Sequence, residues 1–554
     1  MVSTRTSATK LGEALAAADA AMRPYRRNRL MFLRQYAGPY YGRAHASGVG
    51  PSPEPLNMIH AIVSVVLPHL VACNPRAMIR THSESLRPFA DVFALAWNHL
   101  AAEIDLARAL RTVVTDALFG AGIMKTGLAA GAPVEGLGDG DGYLHDNGRP
   151  FADPVDLDDY LIDPHARSRE QAAFEGNRYH LSRQYVLDSG LYDRGLAERM
   201  PAASADDLPR RLDGRAEDLS RGASAAAGAS SDLVEYVELA DVWLPNENVV
   251  VTIPATGEPR AYLREAPWEG PDRGPYEMLG FHWLPSNVLP VPPLGALFDL
   301  HAMINKTARR LGRQADRQKD LVLFDERAAE EAQRLRDALD GEMLGVQNVD
   351  RYKQVSFGGP HEEGYKHLAF LYEQFSRIGG NVDLLGGLSP MSNTLGQDEM
   401  LFANASVRVE DMRSQVYEFT KHVGTKLAWY LWHDPLADVP LVLRSADGRE
   451  AMARFSWDSR QGDWPDYRFD VEPHSMNPDT PTRKYRRVLE WIQNVILPTA
   501  PIAAAQGLRL DVARLAKLTG SMLNIEEAPE IFVRSAPSDP PAAAEPTAPT
   551  QLTG

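Results

Sequence analysis

Apolar and polar positions alternate with two different periods along this chain, and the change of period marks its regions. From Lys10 to Tyr36 the sequence is Ala-rich and then basic around Arg23–Arg29, which predicts a helix. Gly38 to Pro55 is dense in Gly and Pro and predicts a loop. The apolar window from Met58 to Cys73 contains His60, Pro68 and His69 and stops at Asn74-Pro75. It falls short of the roughly 20 apolar residues a spanning helix needs, so it predicts a buried helix. A further helix is predicted from Pro88, a proline tolerated in the first turn, to Phe119, with Gly120 as its stop. Beyond Ile123 the texture becomes strand-like: "GIMKTG", "GYLHD", "YLIDP", "NRYHLSRQYV" and "EYVELADVWL" lie between Gly, Asp and Pro turns. These define a β-rich insertion from about 121 to 285. It is broken by Pro201–Ser231, a low-complexity excursion rich in Ala, Ser, Asp and Arg.

Helical periodicity returns at Pro292-Pro293 and runs to about Asp320. A small mixed unit follows, with a charged helix at Ala328–Leu339 and "GEMLGVQNV" and "YKQVSF" as a strand pair. Next come a helix at Glu363–Ile378, Gly-rich turns from Gly379 to Gly396, and a long helix from Gln397 to His433. A β-like piece spans Val439–Val471. Helices at Thr482–Ile496 and Leu510–Leu518 precede a Pro-, Ala-, Ser- and Thr-rich tail from Ser535, predicted to be disordered.

Two of these helices carry information beyond their existence. In the first, Leu297, Leu300, Ile304, Ala308, Leu311 and Ala315 share one face. Lys306, Arg310, Arg313 and Arg317 fall on the opposite face, a ladder of positive charge about 16 Å long at 1.5 Å per residue. Such a row is either a solvated surface or a track for a polyanion, which it would hold without reading sequence. In the second, Thr394 and Gln397 have capping-box spacing, and Asp398 and Glu399 suit the positive end of the helix dipole. Its apolar series Leu401, Ala405, Val409, Met412, Val416, Phe419, Val423, Leu427, Tyr430 is helical throughout. At roughly 37 residues or 55 Å it is three times the mean helix length, which suits a strut in an assembly.

Charge and chemistry narrow the field. The chain has 58 basic and 74 acidic side chains, a net charge of −16. That argues against coating DNA by bulk charge and leaves a local basic surface possible. The one cysteine, Cys73, allows no intrachain disulfide and no Cys-based zinc cluster. No secretory signal segment is predicted, because the first thirty residues hold no apolar run between their Arg and Lys residues. "GAGIMKTG" has Met124 where a phosphate-binding loop needs Gly, and it reads as a helix stop followed by a strand. His361 and His367 lack metal-helix spacing. Asp153, Asp156, Asp158, Asp159 and Asp163 are dense enough for a hard cation or an acid–base pair, and equally are turn residues.

The order of elements resembles a bacteriophage portal protein, the head-to-tail connector, of the short-tailed-phage type. The resemblance rests on "DALFGAGIMKTG", "DDYLIDPHARSREQAAFEGNRYHLSRQYV", "LPVPPLGALFDLHAMINKTARRLGRQADRQKD" and "FSRIGGNVDLLGGLSPMSNTLGQDEMLFANASVRVEDM", and covers roughly 55–530. It implies an α+β, mainly helical chain that forms a ring, usually of twelve copies, around a DNA channel. The implied layout is an N-terminal wing with the β-rich insertion at 1–288, a first stem helix at 289–320, a clip at 321–362 and a second stem helix at 363–384. A channel loop would follow at 385–396, then a wing helix and β piece at 397–480, a crown at 481–530 and a tail at 531–554. Implied channel contacts are Lys306, Arg310, Arg313 and Arg317 with Ser389, Met391, Ser392 and Asn393; the channel-loop segment itself contains no basic residue. Implied docking residues in the clip are Arg327, Glu330, Arg334, Asp350, Arg351 and Lys353. Implied partners are other copies of the chain, double-stranded DNA, the terminase large subunit, tail adaptors, and the major capsid and scaffolding proteins, in the virion and in the host cytoplasm during assembly. No cofactor, metal, membrane or catalytic residue is implied. The alternatives are a metal-dependent hydrolase using the Asp153–Asp163 carboxylates, and another capsid or tail component.

Overall fold

The computed structural model describes residues 6–37, 56–129, 133–134, 144–145, 149–202, 235–255, 261–339, 343–346, 348–380, 395–444, 450–472, 475–476, 489–490, 492–496 and 498–499. Helix and strand are both well represented, a mixed α and β chain. The loop expected at 38–55, nearly all of the excursion expected at 201–231, and the channel-loop candidates Ser389, Met391, Ser392 and Asn393 lie outside the described residues.

Helix α1 (Ala8–Ala37) and helix α2 (Met58–Leu70) form where the apolar spacing predicts them. The single helix expected from Pro88 to Phe119 is two, α3 (Arg87–Glu103) and α4 (Leu106–Phe119). Between them Asp105 takes a left-handed conformation at φ 49°, an arrangement Asp tolerates better than most residues.

Strand β1 (Ala77–Thr81) pairs with β14 (Tyr467–Val471), nearly four hundred residues away in sequence. Strands β2 (Gly122–Leu128), β3 (Pro150–Val155), β4 (Tyr160–Ile162), β5 (Glu175–Ser182), β6 (Tyr236–Leu244), β7 (Val249–Pro254), β8 (Arg264–Pro267) and β9 (Tyr276–Leu279) build the β-rich insertion. They form a five-stranded antiparallel sheet of order β8-β7-β6-β5-β4 and a three-stranded sheet of order β9-β2-β3. Because β9 returns to pair with β2, the insertion closes on its own first strand. "NRYHLSRQYV" is strand only as far as Ser182; Ser182 then caps a short helix, Arg183–Asp188, by accepting from the Tyr185 N–H.

The next helix, α5 (Phe298–Asp316), ends four residues earlier than expected, and the chain enters strand β10 (Lys319–Phe324). Helix α6 (Ala329–Asp337) follows, then β11 (Tyr352–Phe357) and α7 (Glu362–Gly379). The strand pair of this region is β10 with β11, in register Leu321↔Val355 and Leu323↔Lys353, and not "GEMLGVQNV" with "YKQVSF". The longest helix, α8, runs from Leu395 to His433, 39 residues. It is followed by the hairpin β12 (Asp438–Arg444) and β13 (Glu450–Ser456).

The largest core lies among α2, α3, α4, the later turns of α8 and the β1–β14 pair. Val416, Phe419, Val423 and Leu427 of α8 are buried there, as the apolar series predicts. Trp97 donates its indole N–H to the Gly424 carbonyl at 3.0 Å. A Cβ on Gly424 would sit 2.4 Å from the Phe469 ring, so only glycine allows this approach. In the same core Phe89, Phe93, Trp432, Phe455 and Tyr467 form a cluster of stacked, tilted and edge-on rings. Residues 478–554 form a second unit. Its described residues include one π-helical turn, Ile492–Ile496, inside the expected Thr482–Ile496 helix; the Leu510–Leu518 segment and the tail lie outside the described residues.

Candidate nucleic-acid interface

Helix α5 is fixed by its apolar and amide face. Phe298 stacks on Phe32 with ring centroids 3.8 Å apart. Asn305 is fully buried; it accepts from the Leu56 N–H at 3.2 Å and donates to the Leu56 carbonyl at 3.0 Å. Leu311 is buried against α7, where its side chain lies 2.7 Å from the position a Cβ on Gly364 would take. A glycine there lets the two helices pack closely.

The opposite face holds the basic row. Lys306, Arg310, Arg313 and Arg317 are all exposed. Among the described residues, none of the four has a carboxylate within ion-pair distance. Exposed, unneutralised cations at helical spacing are what a phosphate backbone meets most readily.

Beyond α5 the chain forms a two-stranded ribbon carrying α6. No described residue of α6 is buried. Leu321, Leu323 and Phe324 of β10 are each nearly half exposed, and Met343 and Val349 are exposed beyond it. An isolated two-stranded ribbon is marginal in water, and this one exposes apolar side chains that no described residue covers fully. Arg327, Glu330, Arg334, Asp350 and Lys353 are exposed here. The backbone of Arg351 closes a short 3-10 turn, and its side chain lies outside the described residues.

The Asp-rich segment has a different role. Arg29 of α1 is buried, and its guanidinium lies 2.7 Å from Asp116, 3.0 Å from Asp156 and 3.8 Å from Asp158. Burial raises the Asp116 and Asp158 carboxyls, and the Arg29 charge opposes that rise. Asp159 is pushed up to about 6 by burial and by the neighbouring Asp156. Asp163 accepts backbone N–H bonds from His165 at 2.9 Å and Ala173 at 3.2 Å. Most of the carboxylates that the hydrolase alternative needs are thus committed to Arg29 and to turn amides. Among the described residues no group of three His, Cys, Asp or Glu side chains is placed to hold a metal ion.

Sequence spacing gives no sign of a second buried network. Arg169 lies 2.9 Å from Glu175 and from Glu277, and Glu277 lies 2.9 Å from Lys426 of α8. Burial pushes the Lys426 amine down to about 8, against the pull of Glu277. These residues come from separate elements, so only the fold joins them.

No helix among the described residues is long and apolar enough to cross a membrane. No protein-family model and no curated protein matches the chain.

Proposed function

We propose that the protein is a portal-type ring subunit: copies of it surround a channel through which double-stranded DNA enters and leaves a capsid. The observation that carries this reading is the excursion from α5 through the β10–β11 ribbon to α7. It combines a basic row that has no counter-ion among the described residues with apolar side chains that the described residues leave nearly half exposed. In a closed ring each copy covers its neighbour, and identical heterologous contacts close without leaving an open end. On this reading α5 and α7 are the stem, the ribbon with α6 is the clip that meets the terminase motor and later the tail adaptors, and α8 is a strut of the wing. Twelve copies are the number the resemblance implies. The chain performs no catalysis; an ATPase docked on the clip supplies the force.

DNA must slide through such a channel in both directions. Affinity rises steeply with each phosphate neutralised, so a few cations in an otherwise acidic ring, at −16 per copy, give weak, sequence-independent, salt-sensitive guidance. Mass photometry of the full chain tests the assembly: a discrete species of many subunits supports the reading, and monomers or dimers at micromolar concentration contradict it. Charge reversal at Arg313 and Arg317 then tests the channel. Normal rings with impaired packaging place the row toward DNA, whereas failure to form rings assigns it to the contact between copies.

A further inference from the structure

Helix α8 holds the β-rich insertion through two neighbouring side chains, Lys426 and His422. Lys426 is buried and donates to the Tyr276 carbonyl at 2.6 Å. His422, one turn earlier, meets the loop between β8 and β9, where Arg273 Nη1 lies 3.3 Å from His422 Nε2. A guanidinium has donors and no acceptor. Nε2 is therefore the acceptor, and the contact exists only while that nitrogen carries no proton. Arg273 is half-exposed and also lies 3.6 Å from Glu170. The same residues border a cleft of about 340 Å³, together with Trp283, Asn287, Gln415 and Glu418.

The charges around His422 come from four elements. They are Glu418 and Lys426 on α8, Glu277 on β9, Arg169 and Glu170 on the short turn Arg169–Gln171, and Arg273 with the exposed Asp272 on the loop. Glu277 is already shared between Arg169 and Lys426, at 2.9 Å from each. Burial lowers the His422 imidazole below its usual 6.5; Arg273 and Lys426 push the same way, and Glu277 and Glu418 oppose them. The loop is tied down on both sides of Arg273. The Pro271 carbonyl accepts from the Trp268 indole at 2.9 Å, and the Pro275 carbonyl accepts from the Thr126 N–H at 2.8 Å. Movement is thereby confined to the loop tip, residues 272–274.

We infer that His422 is a pH-sensitive latch on this cleft. When neutral, it accepts from Arg273 and holds the loop tip against α8. A proton on Nε2 removes the acceptor and sets two cations face to face. Arg273 is then released to Glu170, and the cleft widens. The folded chain takes up this proton less readily than the unfolded one. The contact therefore contributes its full stability above about 6.5, and that contribution is lost as pH falls below this value. The latch needs neither a ring nor DNA, so it stands or falls apart from the portal reading.

The test is carried out on the full-length chain by mass spectrometry. Exchange at the imidazole C2 position gives the titration of His422, which should fall below 6.5. Amide exchange of residues 268–276, corrected for the intrinsic effect of pH, should rise about fivefold between pH 7.5 and pH 5.0. His422→Gln keeps an acceptor that takes no proton, so its exchange should stay at the slow level at both pH values. His422→Lys carries the charge permanently and should exchange fast at both. Melting temperatures of the two variants at pH 7.5 show that each still folds. The proposal is overturned by a His422 titration at or above 6.5, by amide exchange in the parent that does not change with pH, or by His422→Gln responding to pH as the parent does.

Discussion

Helices α1 and α5 each carry basic residues at helical spacing, and they use them in opposite ways. In α1, Arg26 is buried and donates to the Leu157 and Tyr160 carbonyls at 3.0 and 2.7 Å and to Asp19 at 2.6 Å. Arg29, three residues on, is buried among three carboxylates. In α5, Lys306, Arg310, Arg313 and Arg317 are exposed with no described counter-ion. A row of cations is therefore not a function in itself. What decides its role is whether the fold brings carboxylates and carbonyls to it. Where it does, the guanidinium is a fastener between elements; where it does not, the charge is available to a polyanion outside the chain.

The contrast can be broken most forcefully at Arg29. Arg29→Met leaves Asp116, Asp156 and Asp158 facing one another without their cation. Removing one partner of a buried ion group costs about 3–5 kcal/mol, and the half-exposure of Asp156 and Asp158 argues for the lower end. Chemical denaturation should show that loss, whereas Arg313→Gln with Arg317→Gln should stay within about 0.5 kcal/mol of the parent. An equal loss in both variants would erase the distinction.

Second in size is the ribbon. Leu321→Ser with Leu323→Ser should barely alter the stability of the monomeric chain, because neither side chain is buried within it. It should nonetheless shift the assembly toward monomers on a sizing column. Unchanged assembly would remove the ribbon from the contact between copies.

A smaller effect concerns salt. If Arg313 and Arg317 each meet a phosphate, their joint replacement by Gln should reduce the slope of log affinity against log salt by about 2 for double-stranded DNA. Replacing Arg29 in a variant that still folds should leave that slope alone.

The smallest effect is with pH. Asp159 ionises near 6 in the fold, above its usual value of 3.8. A raised carboxyl binds its proton more tightly when folded, so its contribution is fully present below about 3.8 and is lost as pH rises through about 6. Asp159→Asn should flatten melting temperature against pH in that window relative to the parent, and an unchanged profile would reject the assignment.

Elements with long helical periodicity were legible in the sequence. The stripe from Leu297 to Ala315 and the series from Val409 to Tyr430 each repeat for many turns; burial follows the first as far as Leu311, Ala315 being exposed, and follows the second to Tyr430. Local signals failed where the deciding partner is remote. Nothing near Asp105 marks a helix break, since neither Gly nor Pro is present. Lys319 and Asp320 looked like the end of a helix and Leu321–Phe324 carried no element of its own, and only the pairing of Lys319–Phe324 with Tyr352–Phe357 makes a strand there. The basic row of α5 was visible, but its lack of counter-ions among the described residues was not. The Asp156–Asp158 pair was visible too, but its cation sits more than a hundred residues upstream.

The most direct test of the account is negative-stain microscopy of the purified full-length chain. Annular particles with a central bore wide enough for a DNA duplex are the predicted result. Solid, compact particles without a bore would contradict it.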